Sequence, residues 1–131
     1  MSSAFDCVDH DILLQRLNCS FGVVGVVESW LKSHLYNRTL IVSYNNKVSG
    51  IEVIRSGVPQ GSVLGPILFL LYISDIFEIV ESFRFKGHAF ADDIQIVISG
   101  PPNDFQATLD KLVNCLLKIN SWMTSNRLKL N

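Results

Sequence analysis

The sequence has little cysteine and no cysteine pair at close spacing. Its three cysteines, an odd number spread along 131 residues, are Cys7, Cys19 and Cys115. This pattern favours neither a disulfide framework nor a zinc site, and it is typical of a reduced, intracellular protein. The histidines also lack the spacing of metal ligands, so we interpret them as structural or surface residues: His10, His34 and His88.

A long hydrophobic run is missing as well. The longest apolar stretch, Ile67–Ile73, is far shorter than the ~18 residues that a membrane span needs, and it predicts a buried helix instead. Residues 1–11 are polar and acidic, which does not fit a secretory signal peptide. We therefore expect no membrane partner for this chain.

The sequence has no excess of charge of either sign. Its net charge is -1 and its pI is about 6.3, so it lacks the basic character of a self-standing nucleic-acid-binding protein. Hydrophobic residues make up 48% and charged residues 18%, the composition of a globular protein. Because no repeat, linker or low-complexity tract interrupts it, we predict one domain over residues 1–131.

Helical periodicity is present in four parts of the chain. Apolar residues at a spacing near 3.6 predict helices over 9–20 and 22–36, a buried helix that follows a Gly/Pro-rich loop at 57–66 and ends near Val80, and a long helix from Phe105. In the first helix, Arg16 falls on the same stripe as Ile12, Leu13 and Leu17.

Strand patterns predict two hairpins. Residues 39–44 and 47–54 flank the turn signal Asn45-Asn46. Apolar residues alternate with other side chains in 83–86 and again in 94–98, and Ala91-Asp92-Asp93 connects these two runs. Pro101 and Pro102 separate the second hairpin from the last helix.

The adjacent carboxylates Asp92 and Asp93 lie at the predicted tip of the second hairpin, in the stretch GHAFADDIQIVISG. Neighbouring carboxylates repel each other, and burying one without a partner is costly. The residues alone leave two interpretations open. The pair could be a solvated turn, which aspartate tolerates well, or it could hold a cation. Apolar residues adjoin the pair on both sides, which indicates that this turn lies against protein or substrate.

Three segments resemble, in order and spacing, the palm domain of reverse transcriptases. They are AFDCVDHDILL at 4–14, SGVPQGSVLGPILFLLYISDI at 56–76, and FADD at 90–93. The closest likeness is to the enzymes of retrotransposons that lack long terminal repeats (LINE-type elements). The tail INSWMTSNRLKLN at 119–131 is similar to the segment just past the catalytic hairpin in that family. The resemblance covers essentially the whole chain.

This resemblance implies both a fold and an activity. The fold would be α+β, a partial polymerase palm with an antiparallel sheet, a catalytic hairpin and helices packed on one face. The activity would be RNA-directed DNA polymerisation, in which deoxynucleotides are joined to a primer on an RNA or DNA template. Two Mg²⁺ ions would serve this reaction, since paired metal ions stabilise the attacking and leaving oxygens of phosphoryl transfer.

The resemblance also assigns the candidate site residues. Asp92 would be the principal metal ligand and Asp93 the auxiliary one, because adjacent side chains in a strand diverge. Phe5 matches an aromatic residue beneath the sugar of the incoming nucleotide, where a ring leaves no room for a ribose 2′-hydroxyl. Gln60, in the VPQG loop, matches a residue near the templating pair and the nucleotide.

The chain departs from the family pattern at both ends. The first metal-binding aspartate of the family lies five residues before the position of Phe5, which falls immediately before Met1. We do not expect Asp6 or Asp9 to replace it, because both lie downstream along the chain, and we expect Asp6 to hold a turn. Fingers, first aspartate and thumb would be absent, so the resemblance implies little or no activity for this chain alone.

Two other functions stay open at this point. The chain could be a non-catalytic retroelement remnant that acts as a folded binding module. It could also be a metal phosphohydrolase that uses Asp92 and Asp93, although no histidine or basic residue has suitable spacing for that chemistry.

Overall fold

The computed structural model describes residues 4–99 and 104–129, and these form a mixed α+β structure. A single 3₁₀ turn, Phe5–Cys7, precedes the regular elements. The helices are α1 His10–Phe21, α2 Val26–Leu35, α3 Leu64–Tyr72, α4 Ser74–Ser82 and α5 Phe105–Ser125. The strands are β1 Arg38–Leu40, β2 Ser43–Tyr44, β3 Lys47–Val48, β4 Glu52–Ile54, β5 Lys86–Phe90 and β6 Asp93–Val97.

The first predicted hairpin is confirmed, but its ladder is interrupted. β2 pairs with β3 and β1 with β4, both antiparallel, around a turn in which Asn45 and Asn46 have φ of 48° and 60°. Two residues separate β1 from β2, whereas three separate β3 from β4, so the return strand carries a bulge. Ser49 lies in this bulge, where its hydroxyl accepts from the Val42 N–H at 2.9 Å.

The core lies between the helices α1, α3, α4 and α5. Its largest fully buried side chains come from the N-terminal segment, α1, α2, the α3–α4 region and α5: Val8, Leu13, Leu17, Leu35, Tyr72, Ile73, Ile76, Val80 and Cys115. The β5–β6 hairpin packs on α4, and Gly87 permits this approach because a Cβ there would lie 2.9 Å from Phe77 Cδ1. The Cys115 thiol is buried, which raises its pKa.

Arg16 of α1 connects three helices at one nearly buried point. Its guanidinium donates to the Tyr72 carbonyl and, at 2.9 Å, to Asn126 Oδ1 beyond the end of α5. It also pairs with Asp75 Oδ2 of α4 at 2.9 Å, and its side chain is only 10% exposed. The Trp122 ring lies 5.0 Å from the guanidinium carbon. Arg16, which shares the stripe of Ile12, Leu13 and Leu17, therefore forms a polar junction among apolar neighbours.

The structure corrects two expectations about the segment between the Gly/Pro-rich loop and the second hairpin. The single buried helix is two helices, because Arg16 occupies the Tyr72 carbonyl and Ile76 N–H bonds instead to the Ile73 carbonyl at 3.0 Å. Residues 83–85 do not form a strand, because they make the turn that follows the end of α4. In this turn Arg84 has φ 58°, and its N–H donates to the Glu81 carbonyl. Strand β5 begins at Lys86.

The expected single sheet is also wrong for the described residues, which contain three separate two-stranded sheets. Each sheet forms within a local hairpin, and the helices α3 and α4 lie between the first hairpin and the second. Helix α2 begins at Val26, later than expected, because Gly22 and Gly25 have φ of 66° and 67° and form the connecting turn. The break predicted at Pro101 and Pro102 lies outside the described residues.

Within residues 4–99 and 104–129, no helix combines the length and the apolar character that a membrane crossing requires.

Replacing Arg16 with Leu should lower the free energy of unfolding by about 2–4 kcal/mol, because Asp75, Asn126 and the Tyr72 carbonyl would lose their shared partner. Asp75 is one-third exposed, which keeps the expected loss below that of a fully buried pair. Urea unfolding of the purified chain measures this change.

The control is Lys32→Met, which breaks the exposed pair between Lys32 and Glu28, 2.7 Å apart on one turn of α2. The urea concentration at the unfolding midpoint of this variant should stay close to that of the unchanged chain. Equal midpoints for the two variants would show that the Arg16 junction does not hold the helices together.

Candidate functional site

Phe5 lies in the short turn before α1, with its side chain half-buried. Its ring stacks on Phe69 of α3, with centroids 4.5 Å apart and planes at 29°. The turn ends where Asp9 caps α1: Asp9 Oδ1 accepts from the N–H groups of Asp11 and Ile12, each at 3.0 Å. Phe5 is therefore supported by its stack on Phe69 of α3, in a turn that leads directly into the capped start of α1.

The loop that carries Gln60 is bonded to this same turn. Gly57 N–H donates to the Val8 carbonyl at 2.7 Å, and Val58 N–H donates to the Phe5 carbonyl at 3.0 Å. His10 Nε2 donates to the Gly57 carbonyl at 2.8 Å, so His10 has the structural role expected of it. Gly57 itself has φ 87°, and a Cβ there would lie 2.9 Å from Asp6 Cα. Only glycine permits this close approach.

Phe5 and Gln60 meet at one surface depression of about 570 Å³. Its other walls come from the loop and the start of α3: Pro59, Gly61, Ser62, Val63, Gly65 and Pro66. Gln60 is exposed, and its Nε2 donates to Asp6 Oδ1 at 2.9 Å. The structure thus brings together the two residues that the sequence analysis associated with a nucleotide.

Asp92 and Asp93 lie at the end of the second hairpin, but in different surroundings. Phe90 pairs with Asp93, so the turn consists of Ala91 and Asp92. Ala91 has φ 55°, which is uncommon and costly for a residue with a Cβ. Asp92 is half-buried, whereas Asp93 and Phe90 face solvent, with Phe90 87% exposed. The two neighbouring carboxylates therefore differ in their exposure to solvent.

Asp92 lines a cavity of about 310 Å³ that Asp93 does not reach. Cys7, Arg127 and Lys129 share its wall, together with apolar residues of α3, β6 and α5. Arg127 is held there by Asp9, because its Nη1 lies 2.7 Å from Asp9 Oδ2. This ion pair adds to the two hydrogen bonds by which Asp9 caps α1.

The carboxylates of Asp92 and Asp93 are suitable ligands for a hard cation, but the described residues add no third His, Cys, Asp or Glu ligand beside them. Carboxylate oxygens are the ligands that Mg²⁺ prefers. However, no group of three or more His, Cys, Asp or Glu side chains within 4–99 and 104–129 is arranged to hold a metal ion. Asp92 and Asp93 therefore do not make up a two-metal centre by themselves in the described part of the chain.

Three residues near the site were not identified from the sequence. The sequence predicts only a turn role for Asp6, yet in the structure its carboxylate accepts a hydrogen bond from Gln60, 54 positions away. Arg127 and Lys129 were not singled out, although both line the cavity of Asp92. No local pattern marks such contacts, because each depends on how distant segments pack.

The sequence has recognisable relatives. Residues 1–131 match the family model described as reverse transcriptase (RNA-dependent DNA polymerase). The chain is 33% identical over 138 residues to the "Probable RNA-directed DNA polymerase from transposon BS" of Drosophila melanogaster, covering 100% of this chain and 15% of that protein. It is 41% identical over 76 residues to the "RNA-directed DNA polymerase from mobile element jockey" of the same organism, covering 58% of this chain and 8% of that protein. No solved structure is similar enough to count as a match.

Replacing Gly57 with Ala should destabilise the chain by about 1–3 kcal/mol, because the backbone is left-handed and the new Cβ would strike the Asp6 backbone. Gly50→Ala is the matched control, since a Cβ added at Gly50 would have no atom within 4 Å and its φ is not positive. Urea unfolding should separate the two variants clearly. If Gly57→Ala is as stable as Gly50→Ala, the loop is not held against the Phe5–Cys7 turn.

Proposed function

Because the chain belongs to the reverse transcriptase (RNA-dependent DNA polymerase) family, we propose that it is a palm segment of an RNA-directed DNA polymerase from a retrotransposon lacking long terminal repeats. The chain spans 15% of the length of the transposon BS relative, so the proposed activity is that of a larger polymerase. Template, primer and deoxynucleotides would be its substrates.

One observation supports this proposal most directly: the Phe5–Cys7 turn lies between the two halves of the candidate site. On one side, Phe5 and Gln60 line the same depression. On the other side, Cys7 and Asp92 line the same cavity. A polymerase has to hold the sugar and base of a nucleotide beside its carboxylates, and this turn connects residues suited to both tasks.

The proposed roles follow from these positions. Phe5 would lie beneath the sugar, supported by its stack on Phe69, and Gln60 would approach the nucleotide and the templating base. Asp92 would be the principal ligand of a divalent metal, Mg²⁺ in our proposal, because it faces the cavity. Asp93 would be auxiliary, because it is exposed and does not line this cavity.

Primer extension tests the proposal most directly. We would place this chain in the transposon BS polymerase instead of its own matching segment, and measure deoxynucleotide addition on an RNA template. Extension above that of a polymerase lacking the segment is the expected result. A well-folded chimera that binds template and primer but adds no nucleotide would refute the proposed function.

Asp92→Asn in this chimera should lower the extension rate by at least about 10²–10³, because it removes a charge that the reaction requires while keeping the side-chain shape. Asp93→Asn should cost less, since Asp93 does not line the cavity. The measurement is the steady-state extension rate, and thermal melting confirms that each variant is folded. If the pair is only a solvated turn, both variants should keep their extension rates, and their stability should change by no more than about 0.5 kcal/mol.

Phe5→Val in the same chimera should relax discrimination against ribonucleotides, because the smaller side chain leaves space beside the sugar C2′. The measurement is the ratio of kcat/KM for deoxynucleotide and ribonucleotide. Phe105→Val is the control, since Phe105 is 70% exposed at the start of α5 and lines neither cavity. An unchanged ratio in Phe5→Val, with deoxynucleotide use intact, would make Phe5 a core residue only.

A further inference from the structure

The hydrogen bond between Gln60 and Asp6 joins two segments whose backbones are already fixed. Gln60 Nε2 donates to Asp6 Oδ1 at 2.9 Å. The Asp6 carbonyl accepts from Ser56 Oγ at 2.9 Å, so the backbone at Asp6 is tied to the loop independently of the carboxylate. Changes to the Asp6 side chain can therefore alter its bond to Gln60 while leaving these backbone contacts in place.

The chemistry of the two side chains makes this bond directional. A glutamine amide can turn by 180° about its last torsion, which exchanges its oxygen and its nitrogen. An ionised carboxylate accepts hydrogen bonds and donates none. Asp6 therefore favours the orientation in which Gln60 Nε2 faces it, and it repels Oε1. The Gln60 oxygen is left to bond elsewhere.

The position of Asp6 shows that it would act through Gln60. Gln60 lines the depression of about 570 Å³ beside Phe5, whereas Asp6 is not part of its wall. Both side chains are exposed to solvent, so the bond competes with water and adds little to stability. Its main consequence is the donor and acceptor pattern that Gln60 presents to a ligand in the depression.

We propose that Asp6 is a positioning residue that orients the Gln60 amide, so that the Gln60 oxygen accepts a hydrogen bond from the nucleotide bound beside Phe5. This inference rests on the proposed polymerase function. The ligand group must be a hydrogen-bond donor. On a nucleotide, that donor is either the sugar 3′-hydroxyl or an exocyclic amino group of the base.

Asp6→Asn is the informative variant, because asparagine keeps the shape but offers both a donor and an acceptor, so it no longer selects one amide orientation. The chain offers a matched control in α5, where Gln106 Nε2 donates to Asp110 Oδ1 at 3.2 Å. Asp110→Asn makes the same change in a Gln–Asp pair that lines neither cavity.

The first measurement uses the 131-residue chain and needs no activity. In ¹⁵N-labelled protein, the Gln60 side-chain amide signals are identified by their loss in Gln60→Glu. We expect Asp6→Asn to shift them and bring the two amide protons closer in frequency, while Asp110→Asn shifts only those of Gln106. Melting temperatures should differ by no more than about 3 °C. Gln60 signals that do not respond to Asp6→Asn would overturn the proposal.

The second measurement is steady-state extension by the chimera with transposon BS. Asp6→Asn should raise the KM for deoxynucleotide about twofold with little change in kcat, because an amide without a preferred orientation presents its oxygen about half of the time. Asp110→Asn should leave both constants unchanged. A purely structural role for Asp6 would instead lower the melting temperature and leave KM in place.

Two substrate pairs identify the donor. If it is the 3′-hydroxyl, Asp6→Asn should narrow the KM difference between deoxy- and dideoxynucleotide. If it is the amino group of guanine, the variant should narrow the KM difference between deoxyguanosine and deoxyinosine triphosphates. No change in either difference would overturn the proposal. If the unsubstituted chimera is inactive, the polymerase function fails, and the amide signals still decide whether Asp6 orients Gln60.

Discussion

The contacts of the Arg16 guanidinium constrain the rest of this structure most strongly. Arg16 reaches Tyr72 across 56 positions and Asn126 across 110, so one side chain of α1 fixes both the junction of α3 with α4 and the end of α5. The Tyr72 hydroxyl in turn donates to the Asn126 carbonyl at 2.7 Å. Arg127 comes directly after Asn126 in the chain, pairs with Asp9 and lines the cavity of Asp92. The position of this part of the cavity wall therefore depends on the Arg16 junction.

A second constraint is the close approach of the 56–61 loop to the Phe5–Cys7 turn. The backbone bonds at Gly57 and Val58 set the distance between the two segments, and the absence of a side chain at Gly57 permits it. Phe5 and Gln60 meet because of this approach and not because either attracts the other. The geometry of the proposed nucleotide site is therefore decided by backbone contacts, and its side chains contribute selectivity.

Local patterns predicted most helices and both hairpins, because apolar periodicity and turn residues act over a few positions. Predictions from these patterns were wrong where local structure depends on a contact with a distant residue or on an unusual backbone conformation. The break after Tyr72 depends on Arg16, and the alternation at Phe83–Lys86 resembled a strand although Arg84 ends α4 in a left-handed conformation. For the candidate site, the resemblance in motif order predicted Phe5, Gln60, Asp92 and Asp93. The structure places Phe5 and Gln60 at one depression and Asp92 at another cavity. The partners Asp6 and Arg127 could not be predicted, since only the folded chain brings them close.

Among the described residues, six lysine and arginine side chains contact protein groups: Arg16, Lys32, Arg38, Lys111, Lys118 and Arg127. The net charge of the chain is -1. In the proposed polymerase, this segment would therefore contribute little long-range attraction for nucleic-acid phosphates. Its part in recognition would come from shape at Phe5, from the directional amide of Gln60, and from the carboxylate that the hairpin turn holds toward the cavity.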